Sequence, residues 1–156
     1  MKNKLENLED LLRKENVDYS ILMDESTIAT AMNGAQQYGI SLSETTPTLI
    51  LKTKDSYIAA IICGDTRIAF KKLKQLLNVK DISMATPQMI EEITDAKIGE
   101  VSLINPGLIT IIDSNVLHNK NCYGGCGVSK ATLCINTQDL IRITNAQVLD
   151  FSEKRS

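Results

Sequence analysis

Tryptophan is absent from this sequence, aromatic residues make up only 4% of it, and there is one histidine, His118. The core must therefore be aliphatic, and Ile, Leu and Val are plentiful enough to fill it within a hydrophobic fraction of 43%. With a single histidine, a conventional Ser-His-Asp or Cys-His hydrolase would be difficult to build. No apolar run approaches the roughly 20 residues that span a bilayer. The amino end, MKNKLENLEDLLRK, is too charged for a signal peptide. The expected compartment is the cytoplasm, with no membrane partner. An excess of positive charge is also missing. The net charge of −2 argues against a general nucleic-acid binder with a large basic face, and DNA is not an expected partner.

Four cysteines are present, Cys63, Cys122, Cys126 and Cys134, where structural disulfides are rare. Cys122-x3-Cys126 has the look of half a zinc site, but no second close Cys pair accompanies it. A structural site normally needs four ligands. Buried or incidental thiols are the reading, and neither metal nor cofactor is expected. Cys126 stands inside a glycine run, where a reactive thiol is conceivable, yet no base is near it in sequence.

The 156 residues suit one domain, spanning 1–156, with a mixed α/β pattern. Leu5, Leu8, Leu11 and Leu12 recur at helical spacing over residues 4–15. Residues 17–23 read as a strand. A second helix, capped by Ser26 or Thr27, runs to Tyr38 and stops at Gly39. TLILKT and YIAAIIC, split by Lys54-Asp55, predict an antiparallel pair at 48–53 and 57–63. Gly64-Asp65-Thr66 turns the chain into a helix with Ile68, Leu73, Leu76 and Leu77 on its apolar face. A strand in VKDISMA follows, then a helix capped by Thr86 with Pro87 in its first turn. Residues 95–107 read as a loop and 108–112 as a strand ending at Asp113. Tyr123-Gly-Gly-Cys-Gly127 is too glycine-rich for ordinary strand or helix and suits close approach of backbone amides to a ligand. A strand at 131–135, a helix at 138–144 and a last strand in VLDF complete the chain. One compact, mixed but mostly antiparallel sheet with helices around it is the simplest assembly.

Charge is unevenly spread. Residues 1–50 carry four Lys/Arg against eight Asp/Glu, and residues 51–98 carry eight against six. Lys71, Lys72, Lys74 and Lys80 lie close together in the second stretch. They form either a solvated helix face or a contact for phosphates.

The order of these pieces from about residue 45 to Asp150 resembles the YbaK/EbsC family, which includes the editing domain of bacterial prolyl-tRNA synthetases. GDTRIAFKKLKQLL, ISMATPQMIEEIT, Gly99-Glu-Val-Ser102, IITIIDSNV, YGGCG and QDLIRITNAQVLDFS follow its segments in sequence. No one of these is specific; their order is. The resemblance implies a prolyl-tRNA editing domain-like fold and hydrolysis of the ester joining a wrong amino acid to the tRNA 3′ end. Water would be assisted by the neighbouring ribose hydroxyl, while backbone amides stabilise the oxyanion. The expected partners are the aminoacylated tRNA 3′ end and an aminoacyl-tRNA synthetase.

The substrate-binding residues expected on this basis are Thr48, Gly99, Ser102, Asp113, Gly124 and Gly125. For Thr48 and Ser102, a pocket hydroxyl and an ordinary strand or loop residue are both open. Asp113 either orients a loop or the substrate's amino group, or caps the turn at Ser114-Asn115-Val116. Many members carry a lysine directly before the Thr-Leu pair, where this sequence has Pro47. Lys52 is the catalytic candidate that remains in that strand, although alternation places it on the face opposite Pro47; a strand-edge lysine in solvent is the other reading. The family's Gly-x-x-x-Pro loop aligns with Gly99–Leu103 without its proline. A late histidine of some branches falls at about Thr132, and His118 reads as a surface residue. Two functions follow: a free-standing aminoacyl-tRNA deacylase acting on a mischarged small amino acid, or a non-catalytic member binding a tRNA end, a nucleotide-like ligand or a synthetase.

Overall fold

Strand β2 (Thr48–Thr53) alternates its side chains between two buried faces, which makes it the frame for everything around it. It pairs antiparallel with β3 (Tyr57–Ile61), Leu49 opposite Ala60 and Leu51 opposite Ile58, across the expected turn. In this computed structural model, which describes residues 3–24 and 31–155, these two strands lie inside a five-stranded mixed sheet. Its other members are β5 (Ile82–Met84), β6 (Ile109–Asp113) and β9 (Gln147–Leu149), in the order β5-β2-β3-β6-β9. The β3–β6 and β6–β9 pairs are parallel.

One face of this sheet presents Leu51, Ile58, Ala60, Ile62 and Ile111, packed with Phe151 and Leu73 of helix α3 (Phe70–Leu77). The other face presents Ile50 and Ala59 to Ile90 of helix α4 (Pro87–Thr94) and to Val101. Ile61 and Ile112 on that side meet Leu8 and Leu12 of helix α1 (Lys4–Lys14), and Leu140 of helix α5 (Thr137–Thr144). A sheet covered on both faces explains the near-continuous apolar runs of β3 and β6.

Three expectations are corrected. The single sheet is instead three, because a three-stranded antiparallel sheet and a two-stranded ribbon accompany the main one. The first joins β1 (Tyr19–Met23), β8 (Ala131–Asn136) and β7 (Asn121–Gly125); the second joins β4 (Thr66–Ile68) and β10 (Ser152–Lys154). Secondly, Gly64-Asp65-Thr66 leads into β4 before the helix begins at Phe70. Thirdly, the glycine run is a strand through Gly125, and only Gly127 adopts positive φ, 87°. The glycines at 124 and 125 are there for space. A Cβ on Gly125 would lie 2.2 Å from the Val101 carbonyl oxygen, and one on Gly124 would lie 2.6 Å from the Leu103 side chain.

Helix termini follow the expected chemistry. Thr86 Oγ1 accepts from the Met89 amide at 3.2 Å, with Pro87 in the first turn. Helix α2 (Ala31–Tyr38) stops before Gly39, whose φ is 64°; its expected start at Ser26 or Thr27 lies outside the described residues. Among the described residues, no helix is long and apolar enough to cross a membrane.

Candidate functional site

A cavity of about 520 Å³ lies where the opening of β2 meets the three-stranded sheet. The junction is held by backbone. Thr46 donates its amide to Tyr123 O at 2.9 Å, Leu103 N donates to Gly125 O at 3.0 Å, and Gly127 N donates to Glu100 O at 2.9 Å. The strand-and-loop crossing at 100–103 and 123–127 therefore needs the bare backbone of Gly124 and Gly125, and both form part of the cavity wall.

Thr48, Gly99, Gly124 and Gly125, four of the expected binding residues, border this one cavity. Thr48 Oγ1 is buried with no hydrogen-bond partner among the described residues. Leaving such a hydroxyl unpaired costs about 1–3 kcal/mol. Gly99, at φ 88°, brings backbone rather than side chain to the wall. Ile50, Ile62, Ile90 and Val101 supply apolar surface beside these groups.

The other expected residues are placed elsewhere. Ser102 bridges to Gly125 as a β-pair, but its Oγ accepts from the Ile104 amide at 3.1 Å and is not in the cavity wall. Asp113 is fully buried beyond the cavity. Its carboxylate accepts from Phe151 N at 2.8 Å, Ser152 N at 3.0 Å, Ser152 Oγ at 2.6 Å and Asn115 N at 3.1 Å. It caps the 114–118 turn and pins the carboxyl-terminal segment to β6. Lys52 also lies outside the wall, its Nζ 4.8 Å from the centre of the Tyr57 ring. His118 is exposed in the turn that Asp113 caps.

Pro47 borders the cavity, so the missing lysine is missing from the wall itself. Among the described residues, the charged groups that do line it are Asp24, Glu100, Lys130 and Arg155. Asp24 Oδ1 accepts from Tyr38 Oη and, at 2.9 Å, from Thr132 Oγ1. Burial first, and then this hydrogen bond to Asp24, push the Tyr38 phenol up to about 12. Asp24, Tyr38 and Arg155 were not legible as binding residues, whereas Thr132 stands about where some branches carry a late histidine. Asp24 and Thr132 are 108 positions apart, and only the β1–β8 pairing joins them.

Among the described residues, no cysteine or histidine lines the cavity. Cys126 is buried behind it, and burial pushes its thiol up to about 12, the Asp24 carboxylate adding to the shift. A thiol held that far from ionisation is a poor nucleophile at neutral pH. Among the described residues, no group of three or more His, Cys, Asp or Glu side chains is placed to hold a metal ion.

Comparison with known proteins decides the family, since the aminoacyl-tRNA editing domain matches residues 25–143. The chain belongs to the aminoacyl-tRNA editing domain family. Curated relatives of this editing domain include the proline–tRNA ligase of Caldicellulosiruptor bescii, 28% identical over 118 residues, covering 76% of this chain and 20% of that protein. The proline–tRNA ligase of Fervidobacterium nodosum is 30% identical over 99 residues, 63% of this chain and 17% of the ligase. The chain thus spans about one-fifth of the length of the curated relatives it matches. Among solved structures, the hypothetical protein APE2540 superposes with a TM-score of 0.89 at 27% identity, covering 97% of this chain and 100% of that one. A protein proposed to be a trans-editing enzyme for prolyl tRNA synthetase superposes at 0.83 and 21% identity over 98% and 99% of the two chains, sharing the editing-domain fold.

Proposed function

We propose that this chain, acting by itself, hydrolyses the ester between a wrongly attached small amino acid and the 3′ end of a tRNA. The observation that carries the reading is a cavity bordered by Gly99, Gly124, Gly125 and Thr48, whose buried hydroxyl has no partner among the described residues, with neither imidazole nor thiol among the described lining residues. An aminoacyl ester is already activated, so the protein's task is to hold it and to meet the negative charge that develops on its carbonyl oxygen. Backbone N–H groups do this without a protonation step. Gly99 is the foremost candidate donor, because its N–H is not engaged by any described residue. A small rotation of Thr48 would turn its unpaired Oγ1 to the ester or the ribose. Water, assisted by the ribose hydroxyl beside the ester, completes the hydrolysis as the family resemblance implies.

The resemblance to part of several proline–tRNA ligases favours a tRNA for proline as the carrier and a prolyl-tRNA synthetase as the enzyme whose errors are corrected. The test is to incubate the purified chain with a panel of mischarged tRNAs that includes alanyl- and cysteinyl-tRNA for proline. Release of one amino acid above the spontaneous rate, with prolyl-tRNA spared, is the expected outcome. One observation favours a second reading, a binding module without hydrolysis: Pro47 removes a lysine from the wall, and Lys52 does not replace it there. Tight binding of tRNA with no release from any member of the panel would establish that reading instead.

A further inference from the structure

A second hollow of about 460 Å³ adjoins the cavity, and the two share Leu49, Ile62, Met84 and Arg155 in their walls. Phe70, Arg67 and Glu153 border only the second. We propose that this hollow seats the terminal nucleotide of the tRNA, with the base against Phe70 and Met84 and the phosphate on Arg155. The inference rests on the deacylase reading and extends it to the part of the substrate that is not hydrolysed.

The ligand's shape makes the argument. In an aminoacyl-tRNA the terminal ribose carries the amino-acid ester on one side, the base on another and a phosphate on its 5′ oxygen. Such a ligand needs two adjoining hollows with a cation near their junction, where the ribose lies. Arg155 is that cation. Antiparallel pairing of β10 with β4 brings it there, its amide donating to Asp65 O at 3.4 Å and its Nε to Thr66 O at 3.1 Å. The Nε contact fixes the base of the guanidinium and leaves the terminal nitrogens for a planar, two-pronged approach to phosphate. Arg67, the other arginine of the hollow, is spent on Glu153, Nε to Oε1 at 3.0 Å, whereas no described carboxylate forms an ion pair with Arg155. An aromatic and aliphatic floor receives a base through its face, whatever its hydrogen-bonding edge.

The experiment compares adenosine 5′-monophosphate with adenosine as probes, by calorimetric titration of the purified chain at low salt. The nucleotide should bind about tenfold more tightly than the nucleoside, the scale of one charge-assisted contact. Arg155→Gln should abolish that difference and Arg155→Lys should keep part of it, with unfolding midpoints confirming that both variants fold. Lys154→Gln, a charge loss at the neighbouring position outside both hollows, should leave the difference intact. The proposal is overturned if adenosine binds as well as its monophosphate, if Arg155→Gln binds the monophosphate as the parent does, or if Lys154→Gln loses the preference equally. Deacylation separates the two readings. Failure to release any amino acid while the monophosphate preference persists would sink the deacylase reading alone. Normal hydrolysis with an unchanged KM for tRNA in Arg155→Gln would sink this inference alone.

Discussion

Thr132 Oγ1 lies 2.9 Å from Asp24 Oδ1, so the end of β1 and the start of β8 meet in one hydrogen bond on the cavity wall. Tyr38 donates to the same oxygen, which makes α2 the third element tied to that carboxylate. The folded state favours the neutral phenol of Tyr38, whose pKa is raised from 10.0 to about 12. Its contribution to stability is therefore complete below pH 10 and is lost as pH rises through about 12. Urea unfolding of the parent and Tyr38→Phe across this range should show a shallower alkaline decline in the variant. Parallel curves would mean that the phenol titrates alike in both states.

Asp113 and Lys52 should respond oppositely to removal. Asp113→Ala strips the partners from two buried or half-buried amides of the carboxyl-terminal segment and from the 114–118 turn. The expected loss is about 3 kcal/mol or more by chemical denaturation. Lys52→Ala, which gives up a contact with Tyr57, should cost no more than about 1 kcal/mol and leave deacylation unchanged. A large fall in activity for Lys52→Ala at intact stability would return that lysine to the site.

Gly125→Ala and Gly124→Ala test the chain crossing. The added methyl at 125 meets a backbone carbonyl oxygen at 2.2 Å, whereas at 124 it meets the movable end of Leu103. Gly125→Ala should destabilise by about 2–3 kcal/mol, and Gly124→Ala by less, since a side chain yields more readily than a backbone carbonyl. Equal midpoints for the two variants would contradict the geometry.

Thiol chemistry should be absent from the reaction. Cys126 and Cys63 are buried, and burial, more than any neighbouring charge, pushes both thiols up to about 12. At neutral pH both should resist iodoacetamide in the folded protein. Cys126→Ala should retain the parent's deacylation rate; loss of that rate with the fold intact would revive a nucleophilic thiol.

The lysines of α3 are divided by the structure. Lys72 pairs with Asp150 at 2.8 Å, whereas Lys71 is exposed and Lys74 half-buried on the same helix. Each phosphate contact steepens the salt dependence of tRNA binding by about one log–log unit. Changing Lys71, Lys72 and Lys74 to Glu should therefore weaken binding and flatten that slope by about two units rather than three. An unchanged slope would make the cluster a solvated face.

Local chemistry in the sequence was enough to find β2, β3 and the capped helix α4, because each depends on neighbours in the chain: alternation, a turn at Lys54-Asp55, and Thr86 with Pro87. The glycine run at 123–127 was legible as bare backbone, while Thr48 and Gly99 were expected only on the family resemblance; the four residues border one cavity. Local chemistry misjudged why the glycines are there. A clash with Val101 O depends on a segment two dozen residues away, and nothing at 123–127 announces it. The same holds for Asp113, whose four donors come partly from positions 151 and 152. Arg155 and Asp24 stayed silent because a charged residue outside any recognisable motif is ordinarily solvent-facing.

The pairing of β1 with β8, Met23 opposite Ala131, has a consequence for the order in which this protein is made. Synthesis delivers β1 first, and it has no strand partner until more than a hundred residues have followed. The large sheet has its β5-β2-β3-β6 portion in hand by then. The wall carrying Asp24 and Thr132 is consequently among the last parts to close, through a contact of high sequence separation that carries a large loop-closure entropy. A ribosome-bound chain stopped before residue 131 would hold much of the core and still have an open-sided cavity. The capacity to grip a substrate would emerge only once β8 has left the ribosome and paired with β1.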